Sequence, residues 1–170
     1  VGYMLFFLMF MYCGALPYTW LYFHLGRITE RKRLHYHRLI RNVAKYGLRL
    51  LPGIRFAVDN RVGETFEKPA VIICNHQSHL DILSVLQFSP KLIIVTNGWT
   101  WHNPFYGSVL HHGDFLPAAD GMEKNMPKLR ELYKNGYSIV IFPEATRSAD
   151  YSILRFHKGA FYLAHELGAD

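Results

Sequence analysis

The sequence predicts an α/β fold in which a mostly parallel sheet is flanked by helices. From residue 54 onwards, short apolar segments alternate with segments of helical periodicity, a pattern typical of βαβ units. Polar clusters follow two of the apolar segments, and parallel sheets bind ligands at the carboxyl ends of their strands. A chain of 170 residues suffices for one such domain. We therefore predict a membrane-associated hydrophobic segment at 1–25, a basic amphipathic helix at 26–53 and the α/β domain at 54–170.

The first 23 residues contain no charged side chain and consist largely of Phe, Leu, Met and Tyr. At about 1.5 Å per residue, such a helix can cross a hydrocarbon core of roughly 30 Å. Tyr18 and Trp20 lie where aromatic side chains collect at a membrane interface. We expect either a transmembrane helix kinked at Pro17 or an interfacial or re-entrant hairpin broken at Gly14 and Pro17. Because the chain does not begin with Met and ends directly after a helical pattern, we also expect a C-terminally truncated fragment.

The segment from Arg27 to Arg49 carries a net charge of +7, so the rest of the chain carries −1. Apolar residues recur within it at helical spacing, which predicts an amphipathic helix ended by Pro52 and Gly53. A basic patch can bind nucleic acid, but a basic helix beside a hydrophobic segment favours anionic membrane lipid. Each cation near the headgroups contributes about 1 kcal/mol. The alternative is a solvated helical face. Because cytoplasmic loops are rich in Lys and Arg, we place the active site on the cytoplasmic face of the membrane.

The remaining elements follow from periodicity and from turn residues. The predicted strands are Ile54–Val58, Val71–Cys74, Leu92–Thr96, Asp114–Pro117 and Ser138–Phe142. The predicted helices are His79–Gln87, Asn103–His111, Met122–Lys134 and Lys158–Leu167. Asn103 followed by Pro104 is typical of an N-cap with proline at the first helical position.

His76 and Asp81 are the most informative residues because they follow a predicted strand at its carboxyl end. An imidazole can take a proton from a hydroxyl near neutral pH. A carboxylate on its other ring nitrogen fixes the tautomer and stabilises the imidazolium that forms. We therefore predict that His76 is a general base and that Asp81 orients it. Capping of the next helix by Ser78 and Asp81 is the alternative, but it leaves the histidine unexplained.

A second polar cluster follows the strand predicted at 138–142. An arginine on such a loop suits a phosphate or a carboxylate, and neighbouring hydroxyls add donors. Its candidate substrate-binding residues are Glu144, Thr146, Arg147 and Ser148. A structural ion pair between Glu144 and Arg147 that closes the loop is the alternative. Further along, Lys158 lies at a predicted helix start, where an anion can bind. The sequence contains neither a Gly-x-Ser-x-Gly elbow nor a Walker A or Gly-x-Gly-x-x-Gly loop.

Four segments, in this order, resemble the blocks of the glycerolipid acyltransferase family: Asn75–Asp81, Gly113–Phe115, Phe142–Ser148 and Phe156–Ala160. The resemblance implies that His76 is the general base and that Asp81 orients it. It implies substrate binding by Gly113, Phe115, Glu144, Thr146, Arg147, Ser148 and Lys158. The implied donor is an acyl-CoA or acyl-carrier-protein thioester, and the implied acceptor is a lyso-lipid such as 1-acylglycerol-3-phosphate. The acceptor hydroxyl attacks the thioester directly, and neither a cofactor nor a metal is expected.

The chain departs from the family pattern at two positions. Ala145 replaces the glycine of Phe-Pro-Glu-Gly-Thr-Arg, although an alanine does not adopt a positive φ easily. Phosphate-binding members often carry an arginine about three residues after the phenylalanine of the second block, where this chain has Ala118. The second departure favours a different lyso-lipid, such as an acylated amino acid whose carboxylate Arg147 holds.

Two other classes of function stay open on the sequence alone. One is a membrane-binding module that keeps the fold without catalysis, although the intact His76 and Asp81 argue against it. The other is a metal-dependent hydrolase that uses His76, His79 and Asp81, with His111 and His112 as further ligands. The spacing of these residues matches no common zinc motif, and no cysteine pair supports it.

Overall fold

A computed structural model describes residues 11–50, 55–78, 80–104, 107–146, 148, 150 and 152–169. In this part of the chain a single parallel sheet contains four strands in the order β1-β4-β2-β3. The strands are β1 (Val71–Ile73), β2 (Leu92–Thr96), β3 (Leu116–Pro117) and β4 (Ser138–Ile141). Ile139 of β4 pairs with Val71 of β1 on one side and with Ile93 of β2 on the other, so β4 lies between these two strands. The predicted parallel α/β class is confirmed.

Helices cover both faces of this sheet. They are α1 (Leu16–His24), α2 (Glu30–Leu50), α3 (Leu80–Leu86), α4 (Gly98–Trp101), α5 (Gly107–His112), α6 (Met122–Lys134) and α7 (Gly159–Leu167). Of these, α3, α6 and α7 begin and end within one residue of the predicted positions. A turn of π-helix at Met11–Ala15 precedes α1, and a 3₁₀ turn at Ala118–Asp120 precedes α6. Across the described ranges, no helix combines the length and the apolar character that a membrane crossing requires. The first ten residues of the predicted membrane segment lie outside those ranges.

The strands alternate their side chains between two hydrophobic cores. Ile93, Ile139 and Ile141 face α6 and α7, where Leu129 and Leu163 are fully buried. On the opposite face, a second core contains side chains from the strands, from helices α2, α3 and α5, and from the loop before β3: Leu92, Ile94, Val140, Ala44, Leu86, Leu110 and Phe115. The side chains alternate in this way because successive residues of a β-strand point to opposite faces of the sheet.

The basic helix α2 forms much of one helical layer and is not only a surface helix. Ala44 and Leu48 are buried on the side that faces the sheet, while Arg31, Arg38 and Arg49 are exposed. The apolar stripe predicted from the sequence is therefore a core face only in part, because Val43 of that stripe is 50% exposed. The domain boundary at residue 54 stays a prediction, although α2 shares a core with the sheet.

Two predicted elements are wrong in part. Residues 55–58 form no strand because Phe56 alone is half-buried there, and without a buried face the segment has no sheet to join. Ile54 lies outside the described residues. Helix α5 begins at Gly107 and not at Asn103, and the sequence interpretation missed α4, whose N-cap Asn97 accepts a hydrogen bond from Thr100 N at 2.8 Å.

The segment before β3 forms a charged contact between helices instead of the predicted longer strand. Asp114 has a φ of 57° and lies 3.5 Å from Arg33 of α2 and 3.5 Å from Lys128 of α6. Burial on its own would raise the pKa of Asp114, but His37, Arg33 and Lys128 together hold that pKa below its ordinary value. This carboxylate therefore ties α2 and α6 to the end of the sheet.

Candidate active site

The candidate site lies at the carboxyl ends of β1 and β4. Cys74 N donates to Ile141 O at 3.1 Å, so the two strands are still paired as they end. The chain then turns out of β1 into His76 and out of β4 into Phe142 and Glu144. Because parallel strands end at the same edge of a sheet, the two polar clusters of the sequence meet here.

His76 and Asp81 form the predicted pair. His76 Nδ1 lies 3.2 Å from Asp81 Oδ2, and the two side chains are 13% and 28% exposed. No described residue forms a hydrogen bond with His76 Nε2. With Nδ1 donating to the carboxylate, Nε2 is the unprotonated nitrogen and can accept a proton. The geometry is that of a general base with its orienting acid.

Asp81 also holds the turn on which His76 lies. Its Oδ2 accepts hydrogen bonds from Gln77 N at 2.6 Å and from Ser78 N at 2.7 Å. Ser78 Oγ accepts from Leu80 N at 3.2 Å, at the start of α3. The capping interpretation and the general-base interpretation are thus compatible, because one carboxylate oxygen does both.

The imidazole of His76 also contacts an aromatic ring from the neighbouring strand end. The rings of His76 and Phe142 have centroids 4.6 Å apart at an interplanar angle of 41°. Such a contact fixes the plane of the imidazole and shields one side of it from water. The sequence interpretation grouped Phe142 with the third block but did not predict its contact with His76.

Glu144 lies inside the site and bonds to the backbone. Its side chain is buried, with 2% of the residue exposed. Oε1 accepts from His76 N at 3.0 Å, and Oε2 accepts from Leu154 N at 2.9 Å. Its two carboxylate oxygens thus bridge the loops after β1 and before α7. The predicted contact of Glu144 with substrate stays a prediction.

The other described residues of the third block, Phe142–Ser148, follow Glu144 and lie near the loop of His76. Ala145 has a φ of 57°, so the alanine adopts the left-handed conformation that the family's glycine adopts without strain. Thr146 is exposed, and Ser148 Oγ donates to Gln77 Oε1 at 3.2 Å. Arg147 lies outside the described residues. No sequence pattern singled out Gln77, which joins the two clusters directly.

The other predicted binding residues lie in different surroundings. Gly113 is buried, and a Cβ there would come within 2.8 Å of the Phe115 ring, so the packing requires a glycine. Phe115 is itself 2% exposed and belongs to the core that faces α2. Lys158 is exposed and is the N-cap residue of α7. Substrate contact by these three residues stays a prediction.

The metal alternative has no cluster of ligands among the described residues. No group of three or more His, Cys, Asp or Glu side chains that could hold an ion occurs there. His111 Nε2 lies 3.2 Å from Trp101 O, and His112 Nδ1 lies 2.8 Å from Ser108 O, so each bonds to nearby backbone. His79 lies outside the described part of the chain.

Cys74 lies two residues before His76, and its surroundings make it a weak nucleophile. Burial and the nearby charge of Asp81 raise the pKa of the Cys74 thiol to about 11. Because the thiolate is the reactive form of a cysteine, a raised pKa leaves this side chain protonated at neutral pH.

Comparison with known proteins shows the family of this chain. The family model described as Acyltransferase matches residues 41–170, and the chain belongs to this family. It is 31% identical over 106 residues to a chloroplastic 1-acyl-sn-glycerol-3-phosphate acyltransferase of Arabidopsis thaliana. The matched region covers 60% of this chain and 30% of that relative. It is 33% identical over 111 residues to the 1-acyl-sn-glycerol-3-phosphate acyltransferase of Saccharomyces cerevisiae. Here the matched region covers 59% of this chain and 36% of the relative.

The fold has a match among solved structures. The crystal structure of the 1-acyl-sn-glycerophosphate acyltransferase PlsC from Thermotoga maritima matches 97% of this chain and 70% of that chain, with a TM-score of 0.71. The sequence identity is 22%, so this likeness shows the fold. The chain spans about a third of the length of the curated relatives that it matches. The predicted resemblance to glycerolipid acyltransferases is confirmed.

Proposed function

We propose that this chain carries the catalytic centre of an O-acyltransferase that moves a fatty acyl group from an acyl thioester to a hydroxyl of a lyso-lipid. The observation that carries the proposal is the 3.2 Å contact of His76 Nδ1 with Asp81 at the carboxyl end of β1. The names of the Arabidopsis and yeast relatives support the class of acceptor.

In this reaction His76 Nε2 takes the proton of the acceptor hydroxyl as its oxygen attacks the thioester carbonyl carbon. The new C–O bond forms, the C–S bond breaks, and the imidazolium returns the proton to the leaving thiolate. Asp81 stabilises the imidazolium in the interval. A direct transfer without an acyl-enzyme agrees with the protonated Cys74 thiol.

The identity of the acceptor rests on two opposing observations. The Arabidopsis and yeast relatives are named as acyltransferases of 1-acyl-sn-glycerol-3-phosphate, which carries a phosphate. Ala118, however, is exposed and uncharged where an arginine was expected, which favours an acceptor without phosphate, such as an acylated amino acid. We propose the phosphate-bearing lysophospholipid as the first candidate and the acylated amino acid as the second.

An acceptor panel tests both candidates. Protein with its full flanking sequence is incubated with labelled acyl-CoA or labelled acyl-carrier-protein thioester and with one acceptor: 1-acylglycerol-3-phosphate, monoacylglycerol or an N-acyl amino acid that carries a free hydroxyl. Labelled product from 1-acylglycerol-3-phosphate alone supports the first candidate, and product from the N-acyl amino acid alone supports the second. Absence of transfer to every acceptor would leave the non-catalytic module as the better account. A chelator serves as control, because this mechanism uses no metal ion and its rate should not change.

Membrane association is part of the same proposal. Trp20, Leu25 and Ile28 are more than half exposed, and Arg27 and Arg31 lie beside them in the chain. Aromatic and apolar side chains next to cations suit the headgroup region of an anionic bilayer. Flotation with anionic vesicles and with zwitterionic vesicles tests this, and equal binding to both would contradict the electrostatic part. By the positive-inside rule, we place the site on the cytoplasmic face.

A further inference from the structure

The buried carboxylate of Glu144 is the feature that the proposed reaction leaves unexplained. Its position in the third family block, Phe142–Ser148, implies contact with the acceptor, yet the residue is only 2% exposed. Both of its oxygens already accept hydrogen bonds from backbone amides, at 3.0 Å from His76 and 2.9 Å from Leu154. A group in these surroundings offers little surface to a ligand, and its charge is compensated within the protein.

The donors of these two hydrogen bonds indicate the role of the Glu144 carboxylate. One amide belongs to His76 itself, 68 residues earlier in the chain, and the other belongs to the loop that leads into α7. His157 N, in the same loop, donates to Pro143 O at 2.9 Å, so the turn around Glu144 is fixed from that side as well. Glu144 thus joins three segments, which are the loop after β1, the loop after β4 and the loop that leads into α7.

We propose that Glu144 is a positioning residue that holds the backbone of His76 and does not bind the acceptor. This inference rests on the proposed function of His76 as the general base. Asp81 then fixes the imidazole through Nδ1, while Glu144 fixes the main chain that carries the ring. The base is held at both ends, and each carboxylate has a separate task.

The two roles of Glu144 predict different kinetics. A residue that binds the acceptor equally in the ground state and in the transition state raises KM when it is removed. A residue that only aligns the base lowers kcat and leaves KM unchanged, and a misplacement of about 1 Å can cost roughly 100-fold in rate. The division of the effect between kcat and KM therefore separates positioning from binding.

Glu144→Gln is the most conservative variant for this test. The amide keeps the shape of the side chain and one acceptor oxygen, but it sets an NH2 group against the second backbone N–H. We expect kcat to fall about 10- to 100-fold, with the KM for the acceptor within about twofold of wild type. Glu123→Gln, at an exposed glutamate of α6, removes the same charge and should leave both constants unchanged. A raised KM with unchanged kcat would overturn the positioning role.

A double variant shows whether Glu144 acts through His76. In a His76→Ala background the base is absent, so Glu144→Gln should not lower the residual rate further. Multiplication of the two separate effects would show that Glu144 acts independently of the base and would overturn the inference.

Amide hydrogen exchange keeps this inference testable apart from the proposed function. The amides of His76 and Leu154 should exchange slowly in wild type and faster in Glu144→Gln, whether or not acyl transfer is detected. If no acceptor is acylated, the proposed function fails while slow exchange still supports the hydrogen bonds of Glu144. If Glu144→Gln does not fold, the exchange rates of the His76 and Leu154 amides in the wild-type protein test the inference on their own. Exchange of both amides at the rate of exposed loop residues would overturn the inference.

Discussion

The pair His76–Asp81 and the pair His37–Asp114 contain the same residue types in different surroundings. His76 Nδ1 lies 3.2 Å from Asp81, in a loop that is partly open to solvent. His37 Nε2 lies 4.0 Å from Asp114, is buried, and has no hydrogen-bond partner among the described residues. Asp114 is shared with two cations, whereas Asp81 accepts hydrogen bonds from backbone amides and from its histidine.

The two pairs differ in what their carboxylates contact. In the first pair, which we propose to be catalytic, Asp81 bonds to the inner ring nitrogen, and under that proposal the outer nitrogen faces the substrate. In the second pair the ring packs beside Phe115 and Tyr137, and the carboxylate neutralises Arg33 and Lys128 between two helices. Loss of the first carboxylate should therefore affect the rate of reaction, and loss of the second should affect the stability of the fold.

Asp81→Asn should have the largest effect of the carboxylate variants. The amide oxygen can still accept from Gln77 N and Ser78 N, but the neutral group no longer stabilises the imidazolium. We expect kcat to fall about 10²- to 10³-fold while the unfolding midpoint changes little. Steady-state kinetics and thermal melts measure the two quantities. Asp59→Asn, in an exposed pair with Arg61, is the control, and an equal loss of activity there would break the comparison.

Asp114→Asn should lower stability instead of kcat. Asparagine tolerates the positive φ of this position, so the variant isolates the charge, and we expect a loss of about 1–3 kcal/mol in the free energy of unfolding. Because the folded pKa lies below the unfolded value, this contribution is present above the unfolded pKa and is lost as pH falls through the folded pKa. Denaturant titrations of both proteins from pH 7 into the acid range measure the difference. A difference that stays constant with pH would contradict the electrostatic account.

Ala145→Gly should have the smallest effect and the opposite sign. Ala145, which follows Glu144 near the first pair, has a φ of 57°, the same value as Asp114 in the second pair. Glycine removes a strain of about 1–2 kcal/mol but adds about 0.4–1 kcal/mol of freedom to the unfolded chain, so a gain of up to about 1 kcal/mol is expected. Chemical denaturation measures it. Ala57→Gly, at an exposed position without a positive φ, should not stabilise the protein, and a gain there as large as at Ala145 would refute the strain argument.

Periodicity predicted the regular elements well where burial and pattern agree. Strand β2 and helix α6 have the bounds that the sequence predicted, because β2 is buried along its whole length and α6 shows a clear helical stripe. Residues 55–58 also show apolar residues, but they meet no neighbouring strand among the described residues. A strand depends on pairing partners that are distant in the sequence, and spacing alone does not reveal them.

The candidate site divides along a similar line. The contact between His76 and Asp81 was predictable because the two residues are five positions apart at a strand end, and their roles in catalysis stay a proposal. The bonding of Glu144 was not predictable, since its partners are the amides of His76 and Leu154, and a backbone amide leaves no mark in the sequence. The left-handed conformation of Ala145 was hidden for the same reason, although the family's glycine pointed to that position.

The most direct test of the central claim is the rate of labelled lipid formation by wild type, His76→Ala and His37→Ala at a temperature where all three are folded. Each protein receives the same labelled acyl thioester and the same lyso-acceptor. We expect His76→Ala to lose at least about 10³-fold in rate, as removal of a general base predicts, and His37→Ala to stay near wild type. No label should remain on the protein itself. Transfer by His76→Ala at the wild-type rate would contradict the account.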